Sequence, residues 1–234
     1  MKKLLFILLL IPVVLSAQKS KPWHKALYDA YPYHFGFSFS AGILDFSVSH
    51  SDYFLNQDTI YSVEGHAKPL FGASMVGNMR LTDNWDLRFT PGLHFGQRNL
   101  DYLIREIKNT DTSFYSHTMK IASTLLQFPI LLKYRSTRQN NYRPYVIFGV
   151  NYAIDLAARK KIKEEEQPKI RLNRNDIYLE MGFGVDYYMP YFKFSTEIRF
   201  SYGLLNVVNY DNTQYTNVFD RLGSKKLTFI IYFE

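Results

Sequence analysis

The chain has 234 residues, 28 of them basic and 21 acidic for a net charge of +7, and it contains no cysteine. So modest a positive excess, spread along the chain, gives no argument for nucleic acid, and without cysteine neither disulfide staples nor thiolate chemistry is open to it. Beyond the N-terminus no stretch approaches about 18 consecutive apolar residues, which excludes a helical membrane protein, yet aromatic residues make up 17% of the chain and need a place.

The first residues, MKKLLFILLLIPVVLSA, set Lys2 and Lys3 before an apolar run from Leu4 to Leu15 and close on the small Ser16 and Ala17. That is the pattern of a secretory signal peptide cut after Ala17, and its apolar run is too short for a spanning helix. The expected organisation is a signal peptide over 1–17, a periplasmic N-terminal segment over 18–33 with Trp23 and Tyr31, and a barrel domain over 34–234. The exported chain keeps 26 basic and 21 acidic residues, a net charge of +5.

The first strand, HFGFSFSAGIL, sets Phe35, Phe37, Phe39, Ala41 and Ile43 against Gly36, Ser38, Ser40 and Gly42. A less regular strand follows over 69–81. At 85–96, WDLRFTPGLHFG alternates without exception: Trp85, Leu87, Phe89, Pro91, Leu93 and Phe95 point one way, and Asp86, Arg88, Thr90, Gly92, His94 and Gly96 the other. Strands are expected next over 121–135 and 143–156. DIYLEMGFGVDY and FKFSTEIRFSYG repeat the alternation, and KKLTFIIYFE closes the chain, with Leu227, Phe229, Ile231 and Phe233 on one face and Glu234 after the last ring. That makes eight strands.

The connections alternate in length. Residues 47–68, 98–120, 157–175 and 205–223 are long loops, whereas 82–84, 136–142 and 189–191 are short turns. An eight-stranded antiparallel up-and-down transmembrane β-barrel of the outer-membrane type has this rhythm, with short turns and both termini in the periplasm. The soluble rival is a lipocalin-like barrel, which keeps its apolar face inward. The composition of the polar face separates them: it is rich in Gly, Ser and Thr with sparse charges of both signs, which suits a narrow lumen better than a solvated exterior. Trp85, Tyr145, Tyr187, Tyr188, Tyr191 and Phe192, near strand ends, fit the aromatic girdles of such barrels.

Two features strain this reading. Pro91 and Pro129 lie inside strands, where each removes a ladder donor, and a bulge or a local gap would accommodate them. Leu125, Leu131 and Ile147 fall on the inner face, so either the lumen is partly apolar there or the register is different.

For chemistry the sequence offers little. None of the six histidines forms a metal-ligand pair, no nucleophile elbow appears, and neither catalytic residue, cofactor nor small-molecule substrate is expected. Arg88, His94, Glu180, Glu197 and Arg199 are expected to form a structural polar network in the lumen. ARKKIKEEEQPKIRLNR, at 158–174, reads as a solvated loop, or as a surface through which Arg159, Lys160, Lys161, Lys169, Arg171 and Arg174 meet lipopolysaccharide or an acidic partner. The 205–222 loop, with Tyr210, Tyr215, Asn206, Asn209, Asn212 and Asn217, has the composition of adaptable recognition surfaces.

At 125–157, LLQFPILLKYRSTRQNNYRPYVIFGVNYAIDLA, the chain resembles the PorT-like outer-membrane barrels of Bacteroidota. FPILLKY, from Phe128 to Tyr134, is similar to a pattern shared across that family, and NNYRPYVIFGVNYAIDLA, from Asn140 to Ala157, is similar to its PorT/SprT branch. The resemblance implies a component of the type IX secretion system, which exports folded proteins and supports gliding motility in some species, with other proteins of that system as partners. It implies no catalytic residues. An eight-stranded barrel is too narrow to pass a folded protein, so the expected role is accessory, assembly or docking. A generic structural or adhesion barrel and a lipid-modifying barrel enzyme are the alternatives.

Overall fold

The computed structural model describes residues 24, 25, 27–57, 59–108, 111–159, 170–210 and 214–234. Among them lie ten strands: β1 (Tyr33–His50), β2 (Ile60–His66), β3 (Lys68–Arg80), β4 (Trp85–Phe89), β5 (Gly92–Lys108), β6 (Asp111–Arg135), β7 (Tyr142–Asp155), β8 (Asn175–Tyr188), β9 (Lys193–Gly203) and β10 (Phe219–Phe233). They build eight staves. β2 and β3 are one stave broken at Ala67, and β4 and β5 are one stave broken at Thr90 and Pro91.

All pairings are antiparallel, and the sheet closes on itself. β1 pairs with β10 from Phe37 opposite Phe233 to His50 opposite Phe219, and with β3 from Tyr33 opposite Met79 to Leu44 opposite Lys68. The order round the wall is β1, β3, β4/β5, β6, β7, β8, β9, β10 and back to β1. The eight-stranded up-and-down barrel read from the sequence is the fold found, and closure leaves the wall no edge that lipid would have to solvate.

Side-chain parity follows the sequence alternation with the apolar face outward. Phe37, Phe39, Phe89, Phe95, Phe183 and Phe229 are exposed on the wall, while Ser38, Ser40, Arg88, His94, Asp186 and Thr228 are buried inside. Two of the expected girdle aromatics are on the other side. Tyr145 and Tyr188 are buried in the lumen, because each shares strand parity with an inward residue, Ile147 and Asp186 respectively. Trp85, Tyr187, Tyr191 and Phe192 do face out.

The lumen is partly apolar where the sequence left the question open. Leu125 packs with Leu44 and Leu70, and Leu131 and Ile147 pack with Tyr145. The prolines share one gap and make no bulge. Phe89 opposite Ile130 and Gly92 opposite Gln127 fix one register on both sides of it. Met75 N donates to Pro91 O at 2.9 Å, and Phe128 N donates to Asn151 Oδ1 at 3.2 Å, so neighbouring staves take up the groups the prolines leave without a ladder partner.

The expected long loop over 98–120 is instead regular structure. β5 and β6 stay paired to Lys108 opposite Asp111, and β2 adds to the free side of β5. Leu100, Tyr102, Ile104, Met119 and Ile121 on this projecting sheet pack against Ile170, Val207, Val208, Val218 and Phe219. The long-loop end thus carries its own apolar core, which gives the hairpin a reason to continue past the roughly 10 residues a bilayer demands of a strand. Within the expected 47–68 loop, a short helix (Asp52–Asn56) is capped by the Ser51 hydroxyl, which accepts from Phe54 N at 3.3 Å.

Candidate functional site: the lumen and its short-turn mouth

The inward residues of β4, β8, β9 and β10 meet across the barrel axis. Arg199 Nη1 lies 3.1 Å from Glu180 Oε2, and its Nη2 lies 2.6 Å from Glu197 Oε1. The Tyr232 hydroxyl accepts from Arg199 Nη2 at 2.7 Å, and the Tyr145 hydroxyl donates to Glu197 Oε2 at 2.9 Å. Glu180 also accepts from Ser201 Oγ at 2.9 Å and from Asn151 Nδ2 at 2.8 Å. Each carboxylate therefore has a guanidinium and at least one neutral donor, the arrangement that makes a buried charge tolerable.

Arg88 adds a second layer toward the short-turn end. Its guanidinium reaches Glu234 Oε1 at 2.7 Å and Asn78 Oδ1 at 3.2 Å, lies 3.8 Å from Glu197 and sits over the Tyr232 ring at 4.6 Å. Two ion pairs that sequence reasoning missed complete it. Lys133 Nζ meets Asp186 at 2.7 Å, and Lys193 Nζ meets Glu234 Oε2 at 2.5 Å. Higher up, Arg98 and Asp155 pair at 3.3 Å.

The structure thus brings together four of the five residues singled out as a lumen network: Arg88, Glu180, Glu197 and Arg199. His94 stands apart. It is buried and lies flat against Gly72 of β3, with its Nδ1 unpartnered by protein, and with Ser40 and Gln127 it lines a small polar cavity beside Glu180. No ion pair joins it to Arg88 or Glu197 among the described residues. Nor does any group of three His, Asp or Glu side chains there have the arrangement of a metal site.

The mouth at the short-turn end holds a cluster that sequence reasoning missed altogether. A 3₁₀ turn, Tyr28–Ala30, crosses it and lowers Asp29 among arginines. Asp29 Oδ1 receives Arg135 at 3.2 Å, Arg143 at 3.3 Å and the Tyr188 hydroxyl at 3.0 Å, and Arg138 approaches Oδ2 at 4.0 Å. Arg80 donates to the Asp29 backbone oxygen, and Arg135 also pairs with Asp86 at 3.0 Å. Tyr28 stacks on His34 at 4.0 Å, and burial together with the nearby Glu234 carboxylate pushes its phenol well above its ordinary range. The available signal was the crowding of Arg135, Arg138 and Arg143 about one short turn.

At the other end, Arg171 and Arg174 lie on a segment that runs beside the 206–209 stretch, tied by Asn209 N to Arg171 O at 3.0 Å. Arg159 ends a 3₁₀ turn, Ala157–Arg159; its side chain, and Lys160, Lys161 and Lys169, lie outside the described residues. Asn212 also lies outside them. Asn206 ties its own loop together and Tyr215 packs that loop on β5: Asn206 Oδ1 accepts from Val208 N and Leu222 N, and Tyr215 packs on the Tyr102 ring at 5.5 Å.

The family described as "Outer membrane protein beta-barrel domain" matches residues 17–209, most of the chain. Similar solved structures include the outer membrane protein OprG from Pseudomonas aeruginosa, at 14% identity and TM-score 0.43, covering 90% of this chain and 94% of that one. Neisserial surface protein A matches at 15% identity and TM-score 0.40, covering 87% and 99%. The outer membrane protease OmpT from Escherichia coli matches at 10% identity and TM-score 0.38, covering 86% and 95%. A search of curated proteins finds no match.

Proposed function

We propose that this chain, which belongs to the outer membrane protein β-barrel domain family and resides in the outer membrane, is a non-enzymatic component of the type IX protein secretion system, supporting gliding motility where that occurs. In this reading it assists assembly or docks partners and is not the conduit.

The observation that carries the non-pore part is the filled lumen. Arg88, Lys133, Asp186 and Glu197 are fully or almost fully buried on the barrel axis and bound to one another or to Glu234. A cross-section occupied by paired ions and tyrosines has no room for a folded cargo, and opening it would expose unpaired charges. The assignment to type IX secretion is supported by the PorT/SprT-like stretch at Asn140 to Ala157, which forms the turn into β7 and the whole of that stave. The protein reaches the membrane by its signal peptide, residues 1–17, and its termini and short turns face the periplasm. Its long loops, with Arg159, Lys160, Lys161, Lys169, Arg171 and Arg174, face lipopolysaccharide or a partner of the same system.

An in-frame deletion with plasmid complementation tests this. Proteins bearing type IX C-terminal signals should fail to reach the medium, other outer-membrane proteins should stay at normal levels, and the plasmid should restore export. Unchanged secretion would leave a structural or adhesion barrel, and altered lipid A acylation would indicate an enzyme instead.

A further inference from the structure

We propose that the lumen contains an enclosed water-binding site at mid-barrel, built by Ser40 of β1, His94 of β5 and Gln127 of β6, and that one ordered water molecule bridges them. The site is separate from the ion-pair network, and it stands whether or not the barrel serves secretion.

Gln127, His94 and Ser40 are 4%, 8% and 9% exposed, and Gln127 Nε2, His94 Nδ1 and Ser40 Oγ have no hydrogen-bond partner among the described residues. Buried polar groups are costly in that condition, and folded proteins satisfy nearly all of them. The Gln127 amide has no freedom to turn round. Phe128 N can only donate, which fixes Asn151 Oδ1 at 3.2 Å from it and sends Asn151 Nδ2 to Gln127 Oε1 at 3.0 Å. Lys226 Nζ donates to the same oxygen at 3.1 Å. The amino group of Gln127 is therefore the end that still needs an acceptor.

The cavity that these side chains line leaves about 20 Å³ open to the centre of a water molecule, and Ser74, Thr90 and Thr228 add hydroxyl-bearing side chains to its wall. One water needs roughly 10–15 Å³ by this measure and two to four polar partners. The surrounding charges disfavour an ion. The Glu180 carboxylate on the cavity wall repels an anion and already has Arg199 at 3.1 Å and Lys226 at 3.5 Å, while those cations and the Gln127 amino group repel a metal ion. Water both donates and accepts, which suits an amide donor, a hydroxyl and an imidazole nitrogen together.

The order of residues along the staves closes the site at both ends. Leu44, Leu70 and Leu125 pack together on the long-loop side of Ser40, Ser74 and Gln127. Val76, Ile230 and Tyr232 form a second cluster on the short-turn side of Ser74 and Thr228. The water is thus enclosed between two apolar layers and belongs to no column running through the barrel.

A crystal structure of the full chain that resolves ordered water tests the site directly. A peak should lie roughly 2.7–3.2 Å from at least two of Gln127 Nε2, His94 Nδ1 and Ser40 Oγ, and a crystal soaked in bromide should show no anomalous signal there. A peak that reaches fewer than two of these atoms, no peak at all, or a bromide signal would overturn the proposal. A second measurement uses the full chain in detergent micelles, with its fold checked by the gel-mobility shift on boiling. The His94 ring protons should show a nuclear Overhauser cross-peak to water, with the sign that marks a long-lived bound molecule. Ser40→Val puts a methyl group in place of the hydroxyl and should abolish that cross-peak. Its absence from the wild-type protein, or its persistence in folded Ser40→Val protein, would contradict the site.

Discussion

Glu234 and Arg88 stand 146 positions apart and meet inside the barrel, Oε1 to Nη2 at 2.7 Å, with both side chains wholly buried. Their strands are not neighbours: β4 lies between β3 and β6, and β10 lies between β9 and β1. The contact therefore spans the lumen, and the same carboxylate holds Lys193 at 2.5 Å. A glutamate following the final ring, unusual as a strand ending, has a structural reason here.

Replacing it should be costly. Glu234→Gln leaves Arg88 and Lys193 with an uncompensated buried charge between them, and a loss of about 3 kcal/mol is expected. Denaturant unfolding in micelles measures it. A loss below about 1 kcal/mol would mean that water or Glu197 replaces the pair.

The Arg199 cluster should behave as a unit. Arg199→Leu leaves Glu180 with Lys226 at 3.5 Å and Glu197 with Arg88 at 3.8 Å as their remaining cations and should destabilise by several kcal/mol, whereas Arg199→Leu combined with Glu180→Gln and Glu197→Gln should cost less than the single changes summed. A coupling of more than about 1 kcal/mol is expected from the cycle. Strict additivity would show that the residues are near one another without depending on one another.

Gly72 is needed for closeness. A Cβ there would come within 2.1 Å of His94 Cδ2, so Gly72→Ala should lower stability, by about 1–3 kcal/mol as overpacking does. His94→Ser in the same chain should restore much of the loss. If it does not, the wall and not the imidazole is what fails to yield.

The alternation of WDLRFTPGLHFG fixes which residues face inward, since period two is a local property, and the eight staves follow from it. Partners are another matter. Lys133 and Asp186 are both inward by parity, but that they meet depends on stagger between staves that are not sequence neighbours. Asp29 is invisible because its turn carries no periodicity and the arginines around its carboxylate lie more than 100 positions away. Tyr145 and Tyr188 were misplaced although the signal was present. Counting by twos from Ile147 and from Asp186 puts both inside, so parity, and not closeness to a strand end, decides their side. The projecting β5/β6 hairpin looks like a loop in sequence because its partner core comes from 170–172, 207–208 and 218–222, which no local window contains.

The central claim is a wall whose apolar face meets lipid round a lumen closed by paired charges. With no native cysteine, single cysteines can be placed without background. Spin labels at Leu87, Phe89 and Phe95 and at Thr90 and His94, in protein reconstituted into bilayers, report access to oxygen and to a water-soluble nickel chelate. Outward positions should be relaxed by oxygen alone and inward positions by neither. Strong chelate access at Thr90 and His94 would reveal an open aqueous lumen, and chelate access at Phe89 and Phe95 would place the apolar face in water and contradict the membrane barrel itself.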